Sequence, residues 1–376
     1  MTIRTRIIAT NCAVLCLIAA LCVVATADVK IEEGEMDGAP FRILMPDDWN
    51  NRLILFAHGY SGSTELGRGK VPLEEYALDH GYAMAYSGYN ETGWAVGAGV
   101  ACTDRLRQHF VEKYSMPERT YIAGASMGGT ITVCLMETYP DTYDGGLPMA
   151  GAVASPLDFW KRVIFDLRVV FDYYCPDIPG TATEFPEGFS FREDVVPVVR
   201  KLMKDEKKTA ELTKVTGVQS YELASMMWFA TEGLKELYQR CGGNPFSNTC
   251  RYYSGSSDDR ALNKGVRRYE SDRNAVEYLL KYYEPTGGIQ RPIVALHGTG
   301  DTLVPIEEEH RYKELLEKKG NGSLFVVKVV DRPGHVTFRP EEMARAFEEL
   351  VGWVEHGTKP AFGDITHTPP KKKREK

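Results

Sequence analysis

The chain has 376 residues, 43% of them hydrophobic and 26% charged, which is ordinary globular composition rather than that of a disordered chain. Its formal charge of -7 argues against nucleic acid as a general partner, because phosphate binding needs a basic footprint. The length accommodates one large domain or two average ones, and the sequence has no repeat array.

In chain order, Arg4 and Arg6 precede an apolar run from Ile7 to Val24, and Ala25-Thr26-Ala27 follows as a small-x-small cleavage site. Residues 1–27 therefore read as a secretion signal, with the remainder released into a secreted or periplasmic space and no stable membrane association after cleavage. The alternative is an uncleaved anchor, since the run approaches the roughly 20 residues needed to span a bilayer. Leu21 before Cys22 is too large for a lipidation box.

Residues 28–154 read as the first part of an α/β core. Phe41 to Met45 is a short strand. Leu53 to Ala57 is a continuous apolar run suited to a strand buried on both faces, and it ends in His58-Gly59-Tyr60. A helix over Val71 to His80 stops at Gly81. Ala83 to Tyr86 is the next strand, and a helix runs from Val96 to Tyr114. The strand ending at Ala123 leads into Gly124-Ala125-Ser126-Met127-Gly128 and then a helix over Thr130 to Thr138. Gly146 to Val153 is strand-like.

Between about Ser155 and Pro285 the alternation breaks. The segment is aromatic-rich and reads as helical, with Phe159, Trp160, Phe165, Phe171, Trp228 and Phe229 among its large side chains. Most of these fit a second small core. As a block between two strands of a sheet, residues 155–285 fit a cap. Alternation resumes over 286–360, with strands at Ile293 to Leu296 and Leu324 to Val330 and helices at Ile306 to Lys318 and Glu341 to Trp353. Residues 361–376, ending in a Lys/Arg run, read as a basic disordered tail. Strands alternating with helices imply a mostly parallel, doubly wound sheet, with a largely helical cap inserted between strands 6 and 7.

Five cysteines lie beyond the signal: Cys102, Cys134, Cys175, Cys241 and Cys250. An odd number leaves at least one without an intramolecular partner. Cys241 and Cys250 bracket a turn-rich loop, and a disulfide is expected there.

In an α/β sheet the site lies beyond the carboxyl ends of the strands. Three loops in that position carry the groups for nucleophilic catalysis: Gly124–Gly128 with Ser126, His297–Pro305 with Asp301, and Asp331–His335 with His335. Serine needs a neighbouring base, histidine titrates in the right range, and a carboxylate fixes the histidine's tautomer. The order serine, aspartate, histidine and the strand–Gly-x-Ser-x-Gly–helix context match a nucleophile elbow.

On these motifs, together with His58-Gly59, Gly298-Thr299-Gly300-Asp301, Val304-Pro305 and Gly334-His335, the chain resembles the α/β-hydrolase superfamily. It is similar to secreted bacterial esterases and the prolyl-oligopeptidase-like group with a helical insertion. The resemblance covers about Phe41 to Ala154 and Ile293 to His356. It implies Ser126 as nucleophile, His335 as base then acid, and Asp301 as the orienting carboxylate. It further implies an oxyanion hole from the Met127 backbone N–H and Tyr60, through either its N–H or its phenol; the other reading of Tyr60 is a rim aromatic that only packs. Asp331 and Asp158 are the competing acids, and His58 and His297 are structural. Trp94 and Tyr89 are either acyl-pocket residues or core.

The phosphate-loop reading of Gly67-Arg68-Gly69-Lys70 fails on spacing, and no Cys/His cluster has metal-ligand spacing. No cofactor is required. The sequence thus points to a secreted serine hydrolase acting on a small-molecule or polymeric carboxylic ester through an acyl-enzyme. An amidase or peptidase with the same triad is the alternative, and a non-catalytic binding protein on the same fold is the remaining rival.

Overall fold

A computed structural model of the chain describes residues 29–67 and 69–367. The expected signal segment, Arg68 and the Lys/Arg end of the tail lie outside the described residues. Nine strands form one sheet in the order β1-β2-β4-β3-β5-β6-β7-β8-β9. β1 (Val29–Met36) and β2 (Ala39–Pro46) form an antiparallel hairpin, and β2 is antiparallel to β4 (Ala83–Ser87). From β4 onward the sheet is parallel, through β3 (Arg52–Ala57), β5 (Arg119–Ala125), β6 (Gly145–Met149), β7 (Ile293–Gly300), β8 (Phe325–Pro333) and β9 (Gly363–Asp364). This is the α/β-hydrolase fold.

The β1–β2 turn is Asp37-Gly38, both at positive φ, the backbone twist that a two-residue hairpin prefers. The central strands are apolar on both faces because both faces are covered. Leu53, Leu55 and Ala57 point into one core, while Ile54 and Phe56 point into the other. α1 (Glu74–Asp79) starts three residues later than the sequence indicates, with Leu73 in the left-handed region just before it. α2 (Val96–Lys113) and α3 (Met127–Thr138) both contribute to the first core.

Between Met149 and Ile293 no strand occurs among the described residues. Helical pieces fill the interval, and three of them are π turns: Trp160–Phe165, Phe191–Val195 and Phe229–Gly233. Their apolar residues join the same core as α2 and α3. The insertion is thereby packed onto the face of the sheet that carries the elbow helix.

Two expectations are corrected. Residues 361–367 are not a disordered tail: β9 pairs with β8, Ile365 is buried, and its N–H donates to the Val329 carbonyl at 2.9 Å. The segment is docked by Ile365, by the free edge of β8 and by hydrogen bonds such as those of the Asp331 N–H to Thr366 and the His367 N–H to Glu342. Cys241 and Cys250 are not bonded. Cys241 is buried at the end of its helix, where burial pushes its thiol up to about 12, whereas Cys250 is exposed. The loop between them is held by polar bonds instead: Asn244 donates to the Phe246 and Glu270 carbonyls at 2.7 and 2.9 Å, and its N–H donates to Asp272 at 2.8 Å.

Candidate active site

Ser126 sits between β5 and α3 at φ 57 and ψ -126, a conformation that L-residues rarely adopt. The surroundings hold it there. Its N–H donates to the Met149 carbonyl at 2.9 Å, and its carbonyl accepts from the Gly129 N–H at 2.8 Å. The sharp turn also requires glycine at 128, where a Cβ would lie 1.9 Å from the Ala57 carbonyl oxygen. The result is a side chain projecting from the apex of the turn, at the carboxyl ends of the strands.

The other two loops converge on it. His335 Nε2 lies 2.8 Å from Ser126 Oγ, and His335 Nδ1 lies 2.7 Å from Asp301 Oδ2. A carboxylate only accepts hydrogen bonds, so Nδ1 carries the proton and Nε2 is left to accept from the serine hydroxyl. Asp301 is itself fixed. It is buried, and its second oxygen accepts from the N–H groups of Leu303 and Val304 at 3.1 and 2.9 Å. The β7 and β8 loops are tied together by the Gly334 N–H donating to the Gly300 carbonyl at 3.0 Å. Val336, directly after the histidine, is at φ 53, an outlier for a β-branched residue and a second point of strain at the site.

The competing acids are elsewhere. Asp331 accepts from Thr299 Oγ1 at 2.9 Å, and Asp158 forms ion pairs with Arg162 and Arg311. His297 is fully buried between Glu309 and the Val304 carbonyl, at 3.0 and 2.8 Å, which braces the loop that carries Asp301. His58 stacks on Tyr89 with ring centroids 3.9 Å apart, and burial holds its pKa below the ordinary histidine value. Both are structural.

The loop after β3 passes directly over the serine: a Cβ at Gly59 would lie 3.2 Å from Ser126 Cβ. Met127 is the first residue of α3, where N–H groups have no intrahelical acceptor and the helix dipole is positive. The Tyr60 phenol donates to Glu236 Oε2 at 3.3 Å, and burial followed by that carboxylate raises its pKa. Its hydroxyl hydrogen is thus directed toward the insertion.

Beside Ser126 and Met127 lies a narrow apolar pocket of about 20 Å3. Trp94, Phe159, Trp160 and Phe229 give it aromatic walls, completed by Tyr60 and Leu303. Trp94 is a pocket residue as well as a packed one, standing edge-on to Trp160 at 5.4 Å. Tyr89 is not a pocket residue. It is fully buried behind His58, its hydroxyl donating to the His58 carbonyl at 3.2 Å, so it supports the loop from behind. Two of the walls, Trp160 and Phe229, open π turns, an irregularity frequent at functional sites. Sequence reasoning named these aromatics but had no means of separating them from core. It missed Glu236 altogether, because a lone glutamate on a helix reads as a solvated charge.

A family model described as a tannase-like family of unknown function (DUF6351) matches residues 36–271, more than half of the chain, and the chain belongs to that family. The prolyl oligopeptidase family model matches residues 193–360. An o-phthalyl amidase of Xanthobacter agilis is 21% identical over 86% of this chain and 87% of its own. Among solved structures, an esterase of Pyrococcus furiosus is 14% identical over 86% of this chain and 90% of its own, with a TM-score of 0.46. An acylaminoacyl peptidase of Pyrococcus horikoshii is 13% identical over 89% of this chain and 41% of its own, with a TM-score of 0.47. Over residues 193–360 the chain is thus similar to the prolyl oligopeptidase family, and its sheet topology is that of the α/β hydrolases.

Proposed function

We propose that Ser126, His335 and Asp301 are the catalytic triad of a hydrolase that cleaves carboxylic esters of apolar acids, aromatic ones above all, through an acyl-enzyme. The observation that carries this reading is the unbroken chain Ser126 Oγ–His335 Nε2–His335 Nδ1–Asp301 Oδ2 at 2.8 and 2.7 Å, on three loops brought together from 209 residues of sequence separation. In the first half-reaction Ser126 Oγ attacks the ester carbonyl as its proton passes to His335 Nε2. The tetrahedral oxyanion is met by the N–H groups of Met127 and Tyr60, and collapse expels the alcohol, which takes the proton from His335. In the second half, water takes the place of the alcohol: His335 removes its proton, the hydroxide adds to the acyl carbon, and Ser126 leaves reprotonated. Asp301 keeps the imidazole in the tautomer both halves need. The aromatic walls favour an aryl acyl group, whose flat faces find edge and face contacts there.

An amide substrate is the second reading, favoured by the similarity to an o-phthalyl amidase. The described pocket walls include no cationic side chain, so an acyl group bearing a second, ionised carboxylate has no partner there. That supports an uncharged acyl group. The apolar run and small-x-small site at the N-terminus support extracytoplasmic action on such substrates.

The test is Ser126→Ala, assayed on p-nitrophenyl esters of benzoic and short aliphatic acids beside the matching anilides. Loss of about 10⁶ in turnover, near 8 kcal/mol, is expected. A variant retaining more than a few per cent of activity sinks the assignment, and wild-type turnover of anilides without esters moves the function to the amide reading.

A further inference from the structure

Two acidic side chains reach from the insertion to the loops that frame Ser126: Glu222 accepts from Thr302 Oγ1 at 2.5 Å beside Asp301, and Glu236 reaches the opposite side. Glu236, on the helix Leu234–Cys241, places Oε2 3.3 Å from the Tyr60 hydroxyl and 3.1 Å from the Trp94 backbone nitrogen, accepting from both. Its Oε1 accepts from Arg240 Nε at 2.8 Å. Arg240 in turn bonds Glu91 at 2.6 Å and the Thr92 carbonyl, which fastens the 91–94 loop to the same helix. The approach is possible only because residue 93 is glycine: a Cβ there would lie 2.1 Å from Glu236 Oε1. Gly93 is also at φ 76, and its N–H donates to the Ser61 carbonyl at 2.7 Å, so the two loops are joined at that point too. A partly buried carboxylate thus receives three donors, two of them from residues that line the pocket over Ser126.

We propose that Glu236 is a positioning residue that sets the oxyanion hole by anchoring Tyr60 from the insertion. The proposal rests on the reading of Ser126 as nucleophile. With its phenol held by Glu236, Tyr60 cannot turn its side chain toward Ser126, and the backbone N–H is the group it presents to the oxyanion. The negative oxygen exists only in the transition state and the tetrahedral intermediate. An error in the position of its donor is therefore felt in turnover and not in ground-state binding. It also follows that the hole is completed only while the insertion is seated on the core, since its anchor belongs to the insertion.

The experiment uses the full chain and p-nitrophenyl benzoate. Wild type is first titrated with a fluorophosphonate; failure to label Ser126 would refute the reading of the nucleophile, before any Glu236 variant is involved, and the proposal with it. Glu236→Met removes every acceptor at similar length, leaving Arg240 its bonds to Glu91 and Thr92. Its kcat should fall about 10- to 100-fold, the range for a displaced catalytic group, with KM within about twofold of wild type. Tyr60→Phe should cost several-fold alone and nothing further in the Glu236→Met background. A rise in KM with kcat intact would overturn the proposal. So would an equal cost of Tyr60→Phe in both backgrounds, which would make the phenol itself the oxyanion donor. Should Glu236→Met fail to fold, Glu236→Gln, which keeps the volume and one acceptor, carries the same cycle. Loss of the fold in both variants would make Glu236 a structural residue and overturn the proposal as well.

Discussion

The loops at the carboxyl ends of the strands and the helical insertion hold their polar groups in different ways. At the loops, every side-chain polar atom of Asp301 and His335 has a partner at 3.1 Å or less, and the strained residues Ser126 and Val336 sit within that network. In the insertion, a fully buried Arg168 pairs with Asp172 at 2.7 Å while one Nη and one carboxylate oxygen of the pair have no partner. Trp160 Nε1 and Tyr269 Oη are unpartnered there too. The first arrangement fixes the atoms proposed to react, where an error of an ångström is costly. The second fills space over an apolar pocket, and its unpartnered polar members, Glu236 being none of them, bear on stability rather than on the chemistry. The comparison teaches that activity and stability should be separable by region.

The sharpest way to break that separation is Asp301→Asn. The amide keeps an oxygen for the Leu303 and Val304 N–H groups but presents NH2 to His335 Nδ1, which forces the wrong tautomer. Turnover should fall by about four orders of magnitude. Thermal unfolding should move little, since no buried acceptor is lost. A near-normal rate would mean that another carboxylate orients the histidine. A large drop in melting temperature would mean that the loops are stability elements too.

Asp172 is the counterpart in the insertion. Burial pushes its pKa up to about 6, against the opposing charge and hydrogen bond of Arg168. The pair is therefore one whose desolvation is barely offset, yet removing one member strands the other. Asp172→Ala should cost about 3–5 kcal/mol of stability, with activity per folded molecule nearly unchanged. Arg168→Met combined with Asp172→Leu should be milder than the single change, because no charge is left buried. Denaturant unfolding of the three proteins checks this. A double variant worse than Asp172→Ala would show the pair to be a net stabiliser.

The same contrast explains which parts of the molecule were legible in the sequence. The strands β3, β5, β7 and β8, the turn at Ser126 and the convergence of Ser126, Asp301 and His335 follow from apolar runs and from loops at strand ends, where local pattern and tertiary position coincide. β1 was missed because its exposed edge is written in Lys and Glu, although Asp37-Gly38 is a hairpin signal. β9 is two residues long and exists only because β8 offers a free edge. The disulfide expected between Cys241 and Cys250 depended on proximity that spacing does not give. The pocket walls were visible only as a list of aromatics: which of Phe159, Phe165 and Phe171 faces Ser126 depends on how short helical pieces pack around π turns. The choice between pocket and core for Tyr89 is not legible for the same reason, since its burial behind His58 is a tertiary fact.

The smallest expected effect lies at the junction of the two regions. Glu308 lies in the first turn of the helix Glu307–Lys319, which follows the Asp301 loop. It is buried, one carboxylate oxygen has no partner, and the neighbouring Glu309 and, less, Asp158 of the insertion add repelling charge. Burial, the largest cause, raises its pKa from 4.5 to about 7. A carboxyl with a raised folded pKa is neutral in both states at low pH and costs nothing. Between about 4.5 and 7 the unfolded chain ionises while the folded one resists, so stability falls as pH rises through that window. The shift corresponds to about 3 kcal/mol lost by pH 8, as an order of magnitude. Glu308→Gln should flatten that decline and be more stable than wild type at pH 8, with little difference at pH 4.5. Unfolding free energies at the two pH values decide it. If Gln is no better at pH 8, the Glu308 carboxylate is stabilised by Arg311 more than burial opposes it, and the junction belongs with the fully partnered loops rather than with the insertion.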